Sequence, residues 1–131
     1  MKVLSIKEPY ATLICNGKKL IETRSWKTNY RGELYIHASL SKITKDVLNN
    51  EEVMRVLDND SLNYGMIICK CRLVDCVYMD EDFLENIKAN HQEYVCGYYS
   101  LGRYAWILED VVPLECKIPA KGKLNIWEFN L

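Results

Sequence analysis

No stretch of this chain approaches the ~20 consecutive apolar residues that a membrane-spanning helix needs. The start, "MKVLSIKEPY", has a lysine but no long apolar run and no small-residue cleavage site, so a secretory leader is not expected and the expected location is the cytoplasm. The six cysteines, Cys15, Cys69, Cys71, Cys76, Cys96 and Cys116, contain no CxxC pair. A zinc site drawing on Cys69 and Cys71 with His37 or His91 lacks the paired spacing of structural zinc ligands. The expectation is no metal, no cofactor, and reduced cysteines serving as small core hydrophobes. A glycine-rich phosphate loop is missing too: "GKKLIET" has lysine after glycine without the Walker spacing, which argues against a nucleoside triphosphate site. There is no internal repeat, low-complexity tract or linker. With 17 Lys+Arg against 18 Asp+Glu, the net charge of -1 excludes a strongly basic protein that coats DNA without specificity.

What remains is 131 residues, 49% of them hydrophobic, enough for one domain (1–131) with a core of its own. Charge is unevenly spread. Residues 1–31 hold Lys2, Lys7, Lys18, Lys19, Lys27, Arg24 and Arg31 against Glu8 and Glu22, whereas the acids gather in "EEVMRVLDND" and "MDEDFLE". The first part of the chain is the expected source of a local positive patch.

Patterning gives an α+β chain of short strands and a few helices. "KVLSI" reads as a strand. "EPYATLICNG" reads as a helix with Pro9 at its first position, an apolar stripe of Tyr10, Leu13 and Ile14, and Gly17 closing it. "KLIETRSW" and "RGELYIHAS" are strands, the latter with Leu34 and Ile36 on one face and Glu33, Tyr35 and His37 on the other. "SKITKDVLNNEEVMRVLDN" reads as helical, with Ser41 as cap and Ile43, Val47, Val53, Val56 and Leu57 as buried positions. "YGMIICKCRLVDCVYM" is a long strand, "DEDFLENIKAN" a helix, "GRYAWILEDVVPLE" a strand running to a break at Pro113, and "GKLNIWEF" the closing strand. Most tyrosines of "YVCGYYSLGRYAW" read as packing residues. The irregular alternation disfavours a doubly wound parallel sheet and favours a curled sheet or barrel with helices at its rim.

The segment "GKKLIETRSW" is anomalous for a strand, since both signs of charge crowd a short run that ends in tryptophan. In an extended strand Glu22, Arg24 and Trp26 share one side, and Ile21, Thr23 and Ser25 the other. Lys19 is out of phase but sits at a turn, where a bulge or loop redirects it. The plain alternative is a solvated Glu22–Arg24 pair, worth ~0–1 kcal/mol. Upstream Lys7 and downstream Arg31, His37 and Ser39 add cationic and hydrogen-bonding groups from neighbouring segments; His37 taken alone reads as structural.

Ser5, Lys7, Pro9 and Tyr10, then Gly17, Lys19, Glu22 and Arg24 in a G-x-K-x-x-E-x-R pattern, then Trp26, Tyr30, Arg31, Gly32, Ile36, His37, Ala38 and Ser39 resemble the activating signal cointegrator homology (ASCH) domain. "GRYAWILEDVVPLE" and "KGKLNIWEF" resemble its closing strands, and residues 41–95 match only in outline. The resemblance implies a small PUA-like β-barrel with flanking helices and a cleft lined by the charged strand. It further implies a ligand that is RNA, single-stranded, or a modified nucleobase or nucleoside. Lys7, Lys19, Glu22, Arg24, Trp26, Arg31, His37, Ser39 and Tyr98 are the expected binding residues. Lysine and arginine would meet phosphate or a carbonyl, Glu22 a base amino group, and Trp26 or Tyr98 a base face. Neither a membrane nor an obligate protein partner is expected. The alternative is a hydrolase acting on RNA or on a nucleoside amide, with Lys19 and Glu22 as catalytic groups and His37 or Ser39 assisting. Family members that cleave N4-acetylcytidine carry a lysine and then a nucleophilic threonine on this strand. Here Lys19 matches, Glu22 stands at the threonine position, and Thr23 is expected to face the other way.

Overall fold

A computed structural model describes all residues from Met1 to Leu131. Alternation in the first strand, β1 (Lys2–Ile6), sends Leu4 and Ile6 into the main core and Val3 to the opposite side, against Ile67 and Trp127. Helix α1 (Tyr10–Cys15) follows and buries Leu13 and Ile14 of the predicted stripe. It begins one residue later than expected: Pro9 precedes the helix and is joined to Glu8 by a cis peptide bond. Pro9 has no capping side chain, so the orphan donors of the first turn find another acceptor. The buried Glu8 carboxylate accepts from the Thr12 N–H (2.9 Å), the Thr12 hydroxyl (2.6 Å) and the Asn63 N–H (2.7 Å). A carboxylate there also complements the helix dipole. Gly17, at φ +78°, ends the helix in a conformation that a side chain resists.

The chain continues through β2 (Ile21–Arg24) and β3 (Gly32–Ala38). The single helix expected next is two: α2 (Lys45–Leu48) and α3 (Glu51–Leu57). Thr44 and Asn50 cap them, not Ser41, because each offers a side-chain oxygen to an N–H three residues on. Ser41 instead hydrogen-bonds Ser39 in a turn. Val53 and Leu57 are buried as expected. The long strand β4 (Met66–Tyr78), helix α4 (Glu81–Ile87) and a short helix not anticipated from the sequence, α5 (His91–Val95), precede β5 (Tyr104–Pro119) and β6 (Ile126–Glu128). Strand β5 does not break at Pro113. It carries that proline opposite Cys69 in a stretch where the β4–β5 ladder shifts register, and a bulged ladder tolerates a residue without an N–H.

The strands form one sheet in the order β2-β5-β4-β3-β1-β6, with β1 and β3 parallel and the other neighbours antiparallel. Three register shifts between β4 and β5, another between Ile36 and His37, and Asp110 at φ +55° bend the sheet. The result is the expected α+β architecture, a curled, PUA-like half-barrel with helices at its rim. The core joins Ala11 and Ile14 of α1 to Leu34 and Ile36, Ile68 and Leu73, and Trp106 and Leu108 of three strands. A second cluster packs Leu13 of α1 with Val53 and Leu57 of α3 and with Cys96 after α5.

The cysteines depart from the expectation that all are reduced. Cys15 at the end of α1 and Cys69 on β4 form a disulfide, because packing brings their Cα atoms to 5.7 Å although they lie 54 positions apart. Cys71 and Cys96 are buried free thiols, Cys76 is half-buried and Cys116 exposed. No helix is long and apolar enough to cross a membrane.

Candidate functional site: a charged cleft beside the edge strand

A cleft of about 950 Å³ opens where the C-terminal ends of β1 and β3, the strand β2, the loop after α5 and the β5–β6 loop meet. Its position follows from topology. Strand β2 lies at one edge of the sheet and β1 near the other, and curling brings the two toward each other: Arg24 Nη2 donates to the Ser5 carbonyl at 2.8 Å.

Lys19 lies deepest. The Lys18 and Lys19 N–H groups both donate to the Leu13 carbonyl, at 2.9 and 3.2 Å, which folds the turn after Gly17 against α1 and carries Lys19 inward. Only 1% of this residue is exposed. Its ammonium is 3.7 Å from Glu93 Oε2 and 5.8 Å from the centre of the Tyr10 ring, and makes no hydrogen bond. The Glu93 carboxylate is engaged elsewhere. It accepts from the Leu20 N–H (2.6 Å), the Ile21 N–H (3.3 Å) and the Tyr99 hydroxyl (3.5 Å). Glu93 therefore balances the charge of Lys19 without filling its three donors, and an ammonium so placed has a strong demand for an acceptor.

In the same cleft, Glu22 is 8% exposed. Its Oε2 accepts from Arg24 Nε at 2.9 Å and lies 2.8 Å from Arg24 Nη2, while Oε1 has no hydrogen-bond partner within the chain. Arg24 is held on several sides: besides Glu22 and Ser5, its guanidinium lies 5.4 Å from the Trp26 ring centre and 5.9 Å from that of Trp106. Burial, followed by the nearby Cys96 and Glu22, raises the pKa of Tyr10, and burial, followed by Glu93 and Glu22, pushes the Tyr99 phenol far above its usual range. Both phenols keep their protons at neutral pH.

The opposite wall is a fixed relay. His37 Nε2 meets the Ala120 carbonyl at 2.8 Å, and a carbonyl only accepts, so that nitrogen carries a proton. His37 Nδ1 lies 2.9 Å from Ser5 Oγ, which also accepts from Trp127 Nε1 at 3.1 Å. Both ring nitrogens are hydrogen-bonded within the chain, which fits the structural reading of His37. Gly122 closes over this pair; a Cβ there would sit 2.9 Å from Ser5 Oγ and 3.0 Å from His37 Cε1.

Of the nine expected binding residues, Lys7, Lys19, Glu22, Arg24, Trp26, His37, Ser39 and Tyr98 all line this one cleft. Arg31 does not. It reaches the Thr28 and Tyr30 carbonyls at 3.0 and 2.8 Å and Asp75 at 3.8 Å. Thr23, expected to face away, also lines the cleft: β2 is an edge strand, and the loop after α5 wraps it, with the Tyr98 N–H donating to Thr23 Oγ1 at 3.3 Å. Tyr98 itself is 66% exposed, with the Arg103 guanidinium 4.2 Å from its ring centre. Sequence reading missed Glu93, Arg103, Lys121 and Lys123. The two lysines had a signal, the basic "KGK" ahead of the closing strand; Glu93, within "HQEYV", had none.

A curled α+β sheet with a buried, charged cleft at the edge strand defines the kind of domain this is. Residues 4–120 match the ASCH domain family, and the chain belongs to it. It is 28% identical to Activating signal cointegrator 1 of Homo sapiens and 27% identical to Activating signal cointegrator 1 of Mus musculus, each alignment covering 97% of the chain. The chain spans 22% of the length of each of these relatives.

Proposed function

We propose that this domain binds single-stranded RNA, or a modified nucleobase or nucleoside, by taking one base into the cleft. The observation that carries this reading is the buried Lys19 ammonium, without a hydrogen bond, in the same cleft as Glu22, whose Oε1 has no partner within the chain. A buried donor and a buried acceptor lining the same cleft match the edge of a nucleobase, which offers carbonyl oxygens next to N–H groups. A plain anion would fit less well, because Glu22 would repel it. The rim supports the same reading. Lys7, Arg103, Lys121 and Lys123 line the mouth and suit phosphate, and the exposed rings of Trp26 and Tyr98 suit stacking. Catalytic roles for Lys19 and Glu22 have no observation in their favour, since Glu22 is ion-paired to Arg24 and no hydroxyl is bonded to Lys19.

The test is a thermal-shift and calorimetric screen of nucleosides, modified nucleosides and short single-stranded RNAs against the wild type and Lys19→Met. Binding that is lost in Lys19→Met, with the fold retained by circular dichroism, supports the reading. Equal binding by both proteins, or no binding by either, rejects it.

A further inference from the structure

A second cavity of about 500 Å³ adjoins the cleft, and Trp26 and Asn125 line both. Its walls have their own chemistry. The rings of Trp26, Trp106 and Tyr30 supply aromatic surface, and Lys27 and Asn29 add an ammonium and an amide that make no ion pair or side-chain hydrogen bond within the chain. Lys2 also lines it but is held by Glu128 at 2.7 Å. Lys27 therefore carries the unneutralised charge of this cavity.

The shared wall is well held. Trp26 is 42% exposed, yet its carbonyl accepts from Trp106 Nε1 at 3.3 Å, and its ring meets that of Trp106 edge-on, with 6.5 Å between centroids. The Arg24 guanidinium also packs against it, 5.4 Å from the ring centre. An indole ring has the thickness that stacking imposes between neighbouring bases. A fixed indole between two cavities thus takes the place of one stacked ring between two consecutive bases, with the joining backbone extended to about twice the stacked rise of ~3.4 Å.

We propose that the second cavity is a subsite for the nucleotide adjacent to the one whose base enters the cleft. Trp26 stands between the two bases, and Lys27 with Asn29 takes the phosphate or ribose of the second. The inference rests on the nucleic-acid reading of the cleft and adds that the recognised unit is at least a dinucleotide.

The probes are the four ribonucleoside 5′-monophosphates and the four RNA homotetranucleotides, titrated calorimetrically at low salt into the wild type, Lys27→Ala and Lys27→Glu, with Lys88→Ala as a control on a distant exposed lysine. For at least one base the tetranucleotide binds the wild type about tenfold more tightly than the monophosphate, the scale of one extra base stack. Lys27→Ala weakens the tetranucleotide and lowers its log–log salt slope by ~0.7, the value for one phosphate contact on a single strand. Lys27→Glu weakens it further, while Lys88→Ala and the monophosphate affinities stay at wild-type levels. Lys27 is exposed, so folding is not at stake. Monophosphates that bind as tightly as tetranucleotides, or tetranucleotide binding indifferent to Lys27→Glu, overturn the second subsite and leave the cleft reading standing. No binding of any probe overturns the second subsite and, with it, the unmodified single-stranded RNA reading of the cleft.

Discussion

Lys19 Nζ faces Glu93 Oε2 across 3.7 Å, with both side chains buried and no hydrogen bond between them. The carboxylate has its own task, holding the Leu20 and Ile21 N–H groups at the start of β2. One acid thus anchors the edge strand and supplies the counter-charge that lets a buried ammonium line the cleft with its donors unspent.

Glu93→Gln keeps the shape and removes the charge. Its amide can serve only part of that hydrogen-bond set, and Lys19 loses its counter-ion. Expected destabilisation is about 2–4 kcal/mol in urea unfolding. The double variant with Lys19→Met should be less damaged than the sum of the two singles. Simple additivity would show that the two charges do not interact.

At Gly122 there is no room for a methyl group, given Ser5 Oγ at 2.9 Å and His37 Cε1 at 3.0 Å from the position of a Cβ. Gly122→Ala is expected to cost about 1–3 kcal/mol and to push the β5–β6 loop outward. An unchanged unfolding midpoint together with unchanged ligand affinity would show that the loop does not seat on this pair.

Burial pushes the Cys71 thiol from 9.0 up to about 12, and raises the Tyr99 phenol as well. Groups whose folded pKa is raised hold their protons longer in the folded chain, so the folded state binds more protons once pH exceeds the unfolded value. Stability should therefore be full below about pH 9 and fall as pH rises above it, by up to about 1.4 kcal/mol per pH unit for each group. Cys71→Ala should flatten the decline between pH 9 and 12. A decline of wild-type slope in that variant would remove Cys71 as a cause.

Thiol accessibility gives a separate check on packing. Under native, non-reducing conditions at pH 8, iodoacetamide should label Cys116 first and Cys76 next, and leave Cys71 and Cys96 unmodified. Cys15 and Cys69 should become labelled only after reduction and unfolding. Peptide mass spectrometry reads the order, and rapid native labelling of Cys15 would contradict the pairing.

N4-acetylcytidine should not be turned over. Glu22 stands at the strand position where a hydroxyl nucleophile would be needed and is ion-paired to Arg24, while Thr23 Oγ1 receives the Tyr98 N–H. Chromatographic assay for released acetate should show no product above a Lys19→Ala control.

The sequence by itself determined the local pieces. Period-two alternation marked the strands, and Gly17 marked the end of α1. The charged G-x-K-x-x-E-x-R run singled out the strand on which the site is built, with Lys7, Trp26 and Tyr98 beside it. Local reading failed where a local rule had a rival. Ser41 looked like a cap because it is a serine ahead of an apolar pattern, but Thr44 and Asn50 were nearer the N–H groups that needed acceptors. Pro113 looked like a break because proline lacks an N–H, but a bulged ladder asks for none there.

Other features were set only by tertiary structure. Glu93 meets Leu20 from 73 positions away, Cys15 meets Cys69 from 54, and Arg24 reaches Ser5 only because the sheet curls. Thr23 enters the cleft because a loop wraps an edge strand, and Arg31 stays out of it because nearby carbonyls and Asp75 hold it. Residue type and spacing fix what a short window of chain prefers, since propensity, capping and alternation act over a few residues. The partner of a buried charge is fixed by which distant segment desolvates it, and that is decided only when the whole sheet closes around its core.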